Sequence, residues 1–382
     1  MQVYICGSAG PWDEYNPLYV ARQGRVLDVM YLLAERPMSV EELASELEAS
    51  RAEVEEAVRA LRRIDAVREE GGRLRANFVA LLKEDVIAIS EAAKGLAEEL
   101  ARDVARLWPK LEGVLSGVKC AAQVGVGKVA FAVVGAYALD IMGLEILRER
   151  RLAVCETPKP GGRRYTLYAR EVFSGYKTLI SGLYWGCHWS VMSGYGFYSF
   201  GDASGARRAI PDVSLSRELL RAHDWEVEAE LRAQAARALL RVLERGAVSK
   251  SSLAASQLEA RLVDALTSMG YLVGGCCLRL SSPAFSVADN ARVSEALRLL
   301  RPVVGEHVAR GRGALSRELA GITPLRQGLP IELMYTELWH WVFGRANRLL
   351  AEWGYFHNPR PKRPGEGRYL AWVHEQPPPP VA

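Results

Sequence analysis

The sequence predicts a multi-domain α+β protein. Three observations lead to this fold class. The chain has 382 residues, more than one ordinary hydrophobic core accommodates. Helical apolar periodicity dominates residues 23–116, and short strands and turns replace it between residues 117 and 212. We therefore predict five consecutive segments, 23–82, 83–116, 117–212, 222–290 and 291–382.

The composition is typical of a soluble globular protein, with 49% hydrophobic and 25% charged residues. The N-terminus, MQVYICGSAGPWDEYNPL, lacks the basic start and unbroken apolar run of a secretion signal. The longest apolar stretch, Val129 to Leu139, is bounded by Lys128 and Asp140 and is too short for a bilayer span. We expect a cytoplasmic protein with no membrane partner.

Six cysteines occur without any CxxC spacing, which argues against a structural zinc site and against a disulfide framework. We expect no metal and no cofactor. The net charge of +4 is too small to indicate nucleic-acid binding by itself.

The clearest organised region is 23–82. Arg25–Glu35 has the apolar spacing of an amphipathic helix, and the capping boxes Ser39-Val-Glu-Glu42 and Ser50-Arg-Ala-Glu53 each begin another helix. Two short strands around Gly71-Gly72 then form a hairpin.

This order of elements resembles the winged helix-turn-helix family, especially its ArsR-like transcriptional regulators, over residues 23–82. The resemblance implies that the third helix, Arg51 to Arg63, enters the major groove of double-stranded DNA. It also implies that the wing, Glu69 to Arg75, lies against the backbone or the minor groove.

Arginine suits this interface because its guanidinium bridges phosphates or binds the guanine edge with two hydrogen bonds. Asn77 is a weaker candidate contact. The predicted DNA-binding residues are Arg51, Arg59, Arg62, Arg63, Arg68, Arg73 and Arg75.

Charge within the same region favours another interpretation. Residues 23–82 contain nine basic and twelve acidic residues, a net charge of −3, and Glu55 lies four positions before Arg59, the spacing of an intrahelical ion pair. Phosphate contacts provide most of the affinity for DNA, so an acidic domain binds weakly unless it dimerises. The alternative is that these arginines form a solvated face for protein contact.

A second copy of the unit is predicted within 222–290. Ala235–Arg245 and Val248–Ala255 are helical, Ser256-Gln-Leu-Glu259 caps a third helix that runs to Met269, and a shorter hairpin surrounds Gly274-Gly275. The third helix carries few charges besides Arg261, which favours protein contact over DNA contact.

Residues 83–116 are predicted as a long helix, Lys83 to Leu107, that ends at Trp108-Pro109. Such a helix is either a dimer arm, which makes a homodimer, or packs on its own chain. At the other end of the chain, Leu349–His357 is predicted as a helix that leads into a strand. Arg368–His374 is predicted as the return strand, so the two strands form a hairpin around a basic loop. Pro377–Pro380 is predicted to be unstructured.

In the central segment, 117–212, Val129–Val134 is predicted as a buried strand, Ala138–Glu149 as a helix and Tyr165–Arg170 as a strand. Residues 182–202 hold seven aromatic residues in 21 positions and are predicted as a β-hairpin that turns at Ser193-Gly194.

Aromatic walls with a few polar groups are typical of ligand pockets, so a small-molecule effector is one expectation for this hairpin. The other is plain core packing. The candidate ligand-binding residues are Trp185, His188, Tyr198, Asp202 and Arg170. Metal binding by Cys187-His188, or thiol or metal sensing by Cys276-Cys277, is less favoured because no second pair with ligand spacing is nearby.

The sequence contains no GxSxG, HExxH, GxxxxGK[ST] or strand-linked GxGxxG motif. We therefore expect a non-enzyme: a DNA-binding transcriptional regulator whose central domain senses a ligand or has a structural role. The alternative is a scaffold whose winged helices bind proteins of the transcription or replication machinery.

Overall fold

The computed structural model describes residues 1–154, 156–180, 185–202, 225–254, 256–359 and 369–377. These residues form a mixed α+β structure with several small sheets, which confirms the predicted fold class. The chain divides into two compact units built from discontinuous segments. The first contains 1–94, 146–179 and 309–339, and the second contains 95–145, 180–308 and 340–382. The predicted central segment, 117–212, contributes to both units.

The strands of the described residues are β1 (Gln2–Ser8), β2 (Val67–Glu70), β3 (Arg73–Ala76), β4 (Val79–Leu81), β5 (Thr157–Lys159), β6 (Arg163–Arg170), β7 (Trp185–Met192), β8 (Tyr195–Asp202), β9 (Val248–Ser249), β10 (Leu272–Val273), β11 (Cys277–Leu280), β12 (Ala284–Phe285) and β13 (Tyr369–Glu375). The α-helices are α1 (Pro17–Val20), α2 (Val26–Glu35), α3 (Val40–Glu46), α4 (Arg51–Arg63), α5 (Lys83–Arg106), α6 (Trp108–Ser116), α7 (Ala121–Val124), α8 (Val126–Ala130), α9 (Gly143–Glu149), α10 (Tyr176–Ile180), α11 (Trp225–Arg245), α12 (Lys250–Leu253), α13 (Gln257–Ser268), α14 (Asn290–Glu318), α15 (Thr323–Arg326) and α16 (Ile331–Glu352).

In the first unit, α3 and α4 begin where the sequence predicts. The Ser39 hydroxyl accepts from the Glu42 amide at 3.2 Å, and the Glu42 carboxylate accepts from the Ser39 amide at 2.7 Å. Ser50 and Glu53 make the same reciprocal pair at the start of α4. Each box satisfies backbone N–H groups that a helix start leaves without partners.

Strands β2 and β3 form the predicted antiparallel hairpin, with Glu70 opposite Arg73. The two connecting residues, Gly71 and Gly72, have φ values of 59° and 74°. Such a turn needs the left-handed region at both positions, which glycine adopts without steric cost. The hairpin tip is therefore narrow and exposed.

A second sheet of the first unit is centred on β6, which pairs antiparallel with β1 and parallel with β4. Tyr165, Leu167 and Ala169 of β6 point into the core that α2, α3 and α4 share. This packing fixes the back of α4, so the opposite side of that helix faces outward.

The second unit contains the predicted aromatic hairpin. Strands β7 and β8 pair antiparallel over eight residues and turn at Ser193-Gly194, both with positive φ. The sheet continues in the order β12-β13-β8-β7.

The predicted strand over Val129–Val134 is wrong, because these residues are helical. They lie in α8 and in a π-helix, Phe131–Met142, almost all of whose residues are buried. A short apolar run cannot by itself distinguish a buried strand from a buried helix. The predicted helix over Ala138–Glu149 is confirmed, since it is formed by the end of the π-helix and by α9.

Together these segments make one continuous helical stretch, Val126–Glu149, which among the described residues is long and apolar enough to cross a membrane. Of its most apolar window, 89% is buried within the protein. That burial is typical of the core helix of a soluble protein.

The predicted second helix-and-hairpin order is present in the second unit. Helix α13 begins at a capping box of Ser256 and Glu259, and β10 and β11 pair antiparallel on either side of Gly274 and Gly275. The predicted second helix is shorter than expected, because Val248–Ser249 is a strand that pairs with β11 and only Lys250–Leu253 is helical.

The predicted C-terminal hairpin is wrong. Residues 353–359 contain no strand, and β13 lies between β8, to which it is antiparallel, and β12, to which it is parallel. Five central residues of β13 are buried, so this strand belongs to the interior of the sheet. Most of the predicted basic loop, and Pro378–Pro380 of the predicted unstructured end, lie outside the described residues.

The break at Trp108-Pro109 is confirmed, since α5 ends at Arg106 and α6 starts at Trp108.

Candidate nucleic-acid interface

Helix α4 has two contrasting sides. Val54, Val58 and Leu61 are almost completely buried, whereas Ala52, Glu56, Arg59 and Arg63 are exposed. The capping box fixes where the helix starts, and the apolar stripe fixes its rotation against the core. The exposed side is the one that the sequence assigns to DNA.

Most of the seven predicted arginines contact acidic side chains or backbone carbonyls of the same unit. The ion pairs, with their nitrogen–oxygen distances, are Arg51 with Glu41 (3.0 Å) and Glu55 (2.7 Å), Arg62 with Glu69 (2.6 Å), Arg63 with Glu14 (2.8 Å), Arg73 with Glu42 (2.6 Å) and Arg75 with Glu70 (2.9 Å). Arg68 instead donates to the backbone oxygen of Gln327 at 3.3 Å.

Arg59 is different. It is exposed at the centre of the outer side of α4 and forms no ion pair with any residue that the structure describes. The predicted pair of Glu55 with Arg59 is wrong, since Glu55 accepts from Arg51. Arg51 is also bound by Glu41 of α3, so two carboxylates hold it one helical turn before Glu55.

Local hydrogen bonds and charges favour the ionised forms of two of the acidic partners, Glu41 and Glu42. A hydrogen bond from the Ser39 amide, followed by the charge of Arg73, lowers the pKa of Glu42. Hydrogen bonds that the Glu41 carboxylate accepts from its own backbone amide and from Ser39 lower the pKa of Glu41, and the charge of Arg51 lowers it further. A polyanion that approaches this surface therefore meets both signs of charge.

Sequence reasoning missed these partners for a simple reason. Glu41, Glu42 and Glu14 are separated along the chain from the arginines that they contact, and only the fold brings them together. The excess of acidic over basic residues within 23–82 was the available indication.

The predicted ligand-binding residues lie in different units. Tyr198 is buried in the second unit, where its ring stacks on Trp372 with centroids 5.5 Å apart. Trp185 and Asp202 face each other across the hairpin, and His188 faces Ser199. The side chains of Trp185, His188 and Asp202 lie outside the described part of the structure.

Arg170 belongs to the first unit, on β6, and is 3% exposed. Its Nε lies 3.7 Å from a carboxylate oxygen of Glu337, which is 1% exposed, and its guanidinium lies over the ring of Tyr4 at 4.2 Å. This buried charge pair holds β6 against α16 in the interior of the unit.

The described residues contain no group of three or more His, Cys, Asp or Glu side chains placed to hold a metal ion. Comparisons with known proteins give no further guidance, because no family, curated protein or solved structure matches the chain.

Proposed function

We propose that this protein is a DNA-binding transcriptional regulator, in which α4 and the β2–β3 hairpin are the reading helix and wing of a winged helix-turn-helix of ArsR-like type. The observation that carries the proposal is the placement of seven arginines on the outer side of this helix and hairpin, with Arg59 exposed and unpaired among the described residues at its centre. The proposed partner is double-stranded DNA in the cytoplasm.

The ion pairs of the interface do not prevent such binding. Exposed pairs of this kind contribute about 0–1 kcal/mol each, so a phosphate can replace a carboxylate as the partner of an arginine at small cost. They do lower the expected affinity, because the released carboxylates then lie near the DNA backbone. A homodimer, with two helices one DNA turn apart, offsets this weakness.

Under this proposal the second unit has a structural role or responds to an effector. Its aromatic sheet combines large buried rings with buried polar groups, as ligand sites do. No enzymatic activity is proposed.

The test is the binding of a short fluorescent duplex to the wild-type chain and to a variant with Arg59→Ala and Arg63→Ala. Removal of these two cations should weaken binding and reduce the slope of log K against log salt by about 0.9 for each phosphate that is no longer neutralised. The matched control is Arg25→Ala with Arg36→Ala, which removes two exposed, ion-paired arginines at other positions. Binding that is equal in all three proteins would move the interface elsewhere.

One observation favours a second function. The alternation of Arg and Glu across α4 and the wing produces a surface of mixed sign, which suits contact with a protein of complementary charge. A scaffold of transcription or replication machinery that uses this surface predicts no binding of random duplex at either low or high salt.

A further inference from the structure

The first unit has a second, more basic surface outside the helix and hairpin. Residues 146–154 and 309–318 together contain six arginines and two glutamates, whereas residues 23–82 have a net charge of −3. Five of the six arginines are exposed: Arg148, Arg150, Arg151, Arg310 and Arg317. The excess of positive charge in this unit therefore lies away from α4.

Arg150 and the sixth arginine, Arg312, lie on a groove of about 510 Å³. The chain just after α9 provides Arg150 and Leu152, and α14 provides Ala309, Arg312, Gly313 and Ser316. Gly313 and Ala309 are small, so they leave the groove open beside Arg312 on α14.

The guanidinium of Arg312 is held in place. One of its terminal nitrogens donates to a carboxylate oxygen of Glu332 at 2.5 Å, and the side chain is 39% exposed. A guanidinium has five N–H donors, so this bond leaves donors for a ligand and reduces the entropy that binding must remove.

We infer that this groove binds a phosphate group. Two guanidinium groups and a serine hydroxyl supply the charge-assisted and neutral hydrogen bonds that phosphate oxygens accept. The groove also contains apolar surface from Leu152 and Ala309, so the phosphate contacts are confined to the two arginines and Ser316. The source of the phosphate that we favour is the backbone of DNA bound by the same unit, and this part rests on the proposed function.

The charge distribution explains why such a site is needed. Salt-dependent affinity for DNA comes from cations whose binding to phosphate releases counterions. Most of the arginines on α4 and the wing have carboxylate partners, as Arg312 of the groove has in Glu332, so each contributes less than a full contact and more than one group of cations is required. A net-positive groove in the same unit supplies phosphate contacts at positions distinct from the base-reading helix.

The experiment uses the full chain and two probes, inorganic phosphate by calorimetry and a short random-sequence duplex by fluorescence anisotropy at two salt concentrations. The groove variant is Arg150→Gln with Arg312→Gln. Its charge-matched control is Arg102→Gln with Arg106→Gln, two exposed arginines of α5. Because Arg312→Gln also removes the bond to Glu332, a second variant, Ser316→Asp, places a negative charge in the groove and keeps both arginines. Circular dichroism verifies that each variant is folded.

We expect phosphate affinity to fall roughly tenfold or more in both groove variants and to stay unchanged in the control. The salt slope for the duplex should fall by about 1–2 in the double variant, because Arg312 shares its charge with Glu332. Phosphate binding that matches wild type in both groove variants would overturn the inference, as would a wild-type chain that binds no phosphate.

The same measurements separate the groove from the proposed function. Loss of phosphate binding in the groove variants, with no duplex binding by any form, would assign the groove to a free phosphate-bearing molecule and would refute DNA binding. Duplex binding that depends on Arg59 but not on Arg150 or Arg312 would leave the regulator intact and refute the groove as a backbone contact.

Discussion

Tyr137 lies in a buried hydrogen-bond chain of the second unit in which every proton can be assigned. The indole nitrogen of Trp372, which can only donate, lies 2.8 Å from the Tyr137 oxygen. Nδ2 of Asn290 donates to the backbone oxygen of Gln376, so the side-chain oxygen of Asn290 accepts from Nε2–H of His374 at 2.6 Å. Nδ1 of the neutral ring is therefore an acceptor, and the Tyr137 hydroxyl donates to it at 2.9 Å. This chain joins the π-helix, β13 and the start of α14.

Removal of the hydroxyl by Tyr137→Phe leaves two buried polar groups, on Trp372 and His374, without their partner. We expect the free energy of unfolding to fall by about 1–3 kcal/mol, because buried groups that lose a partner keep their desolvation cost. Urea unfolding followed by tryptophan fluorescence measures the change.

The control for this variant is Tyr195→Phe on β8 of the same sheet. The Tyr195 hydroxyl has no hydrogen bond to any described residue, so its removal should change the free energy of unfolding little. Equal stability of Tyr137→Phe and wild type would show that the hydroxyl is not required to satisfy its neighbours.

At the scale of elements, the capping boxes determine where α3, α4 and α13 begin. Ser50→Ala removes the side-chain oxygen that accepts from the Glu53 amide at 3.3 Å. We expect a loss of about 1 kcal/mol, the usual cost of replacing a serine cap by alanine. Thermal unfolding of Ser50→Ala measures it. Ser45→Ala, an exposed change within α3, is the control and should be neutral or slightly stabilising because alanine favours helix. An equal loss of stability in Ser45→Ala would show that loss of the serine cap is not what destabilises Ser50→Ala.

The elements that the sequence predicted are those with local determinants. Capping pairs such as Ser256 with Glu259, the turn glycines at 71 and 72, and the break at Pro109 act within a few residues. Val129–Val134 was misassigned, and β13 was predicted as a strand but with the wrong partner, because both structures depend on residues distant in sequence. The π-helix is buried on all sides, and β13 inserts between two strands that lie far from it in sequence. The ion partners of the arginines on α4 were missed for the same reason.

At the scale of the whole molecule, pH is expected to act on stability through two histidines of the second unit, the buried His374 and the half-buried His357. Burial lowers the pKa of His374 to about 3. Burial, followed by the charge of Lys128, also lowers the pKa of His357. An unfolded chain carries histidines with a pKa near 6.5, so below that pH the unfolded state binds more protons than the folded state.

The stability contributed by neutral His374 is fully present above about pH 6.5 and is lost as the pH falls toward 3, at up to about 1.4 kcal/mol per pH unit. Urea unfolding at about pH 7.5 and about pH 5 should show this loss before most carboxylates titrate.

The variant His374→Gln should be less stable than wild type at the higher pH. It should lose less stability on acidification, since it lacks the proton uptake of His374. His357→Gln isolates the contribution of His357 in the same way. An equal pH dependence in wild type and His374→Gln would mean that His374 is already solvated in the folded protein, and the proton assignments of the Tyr137 chain would fail with it.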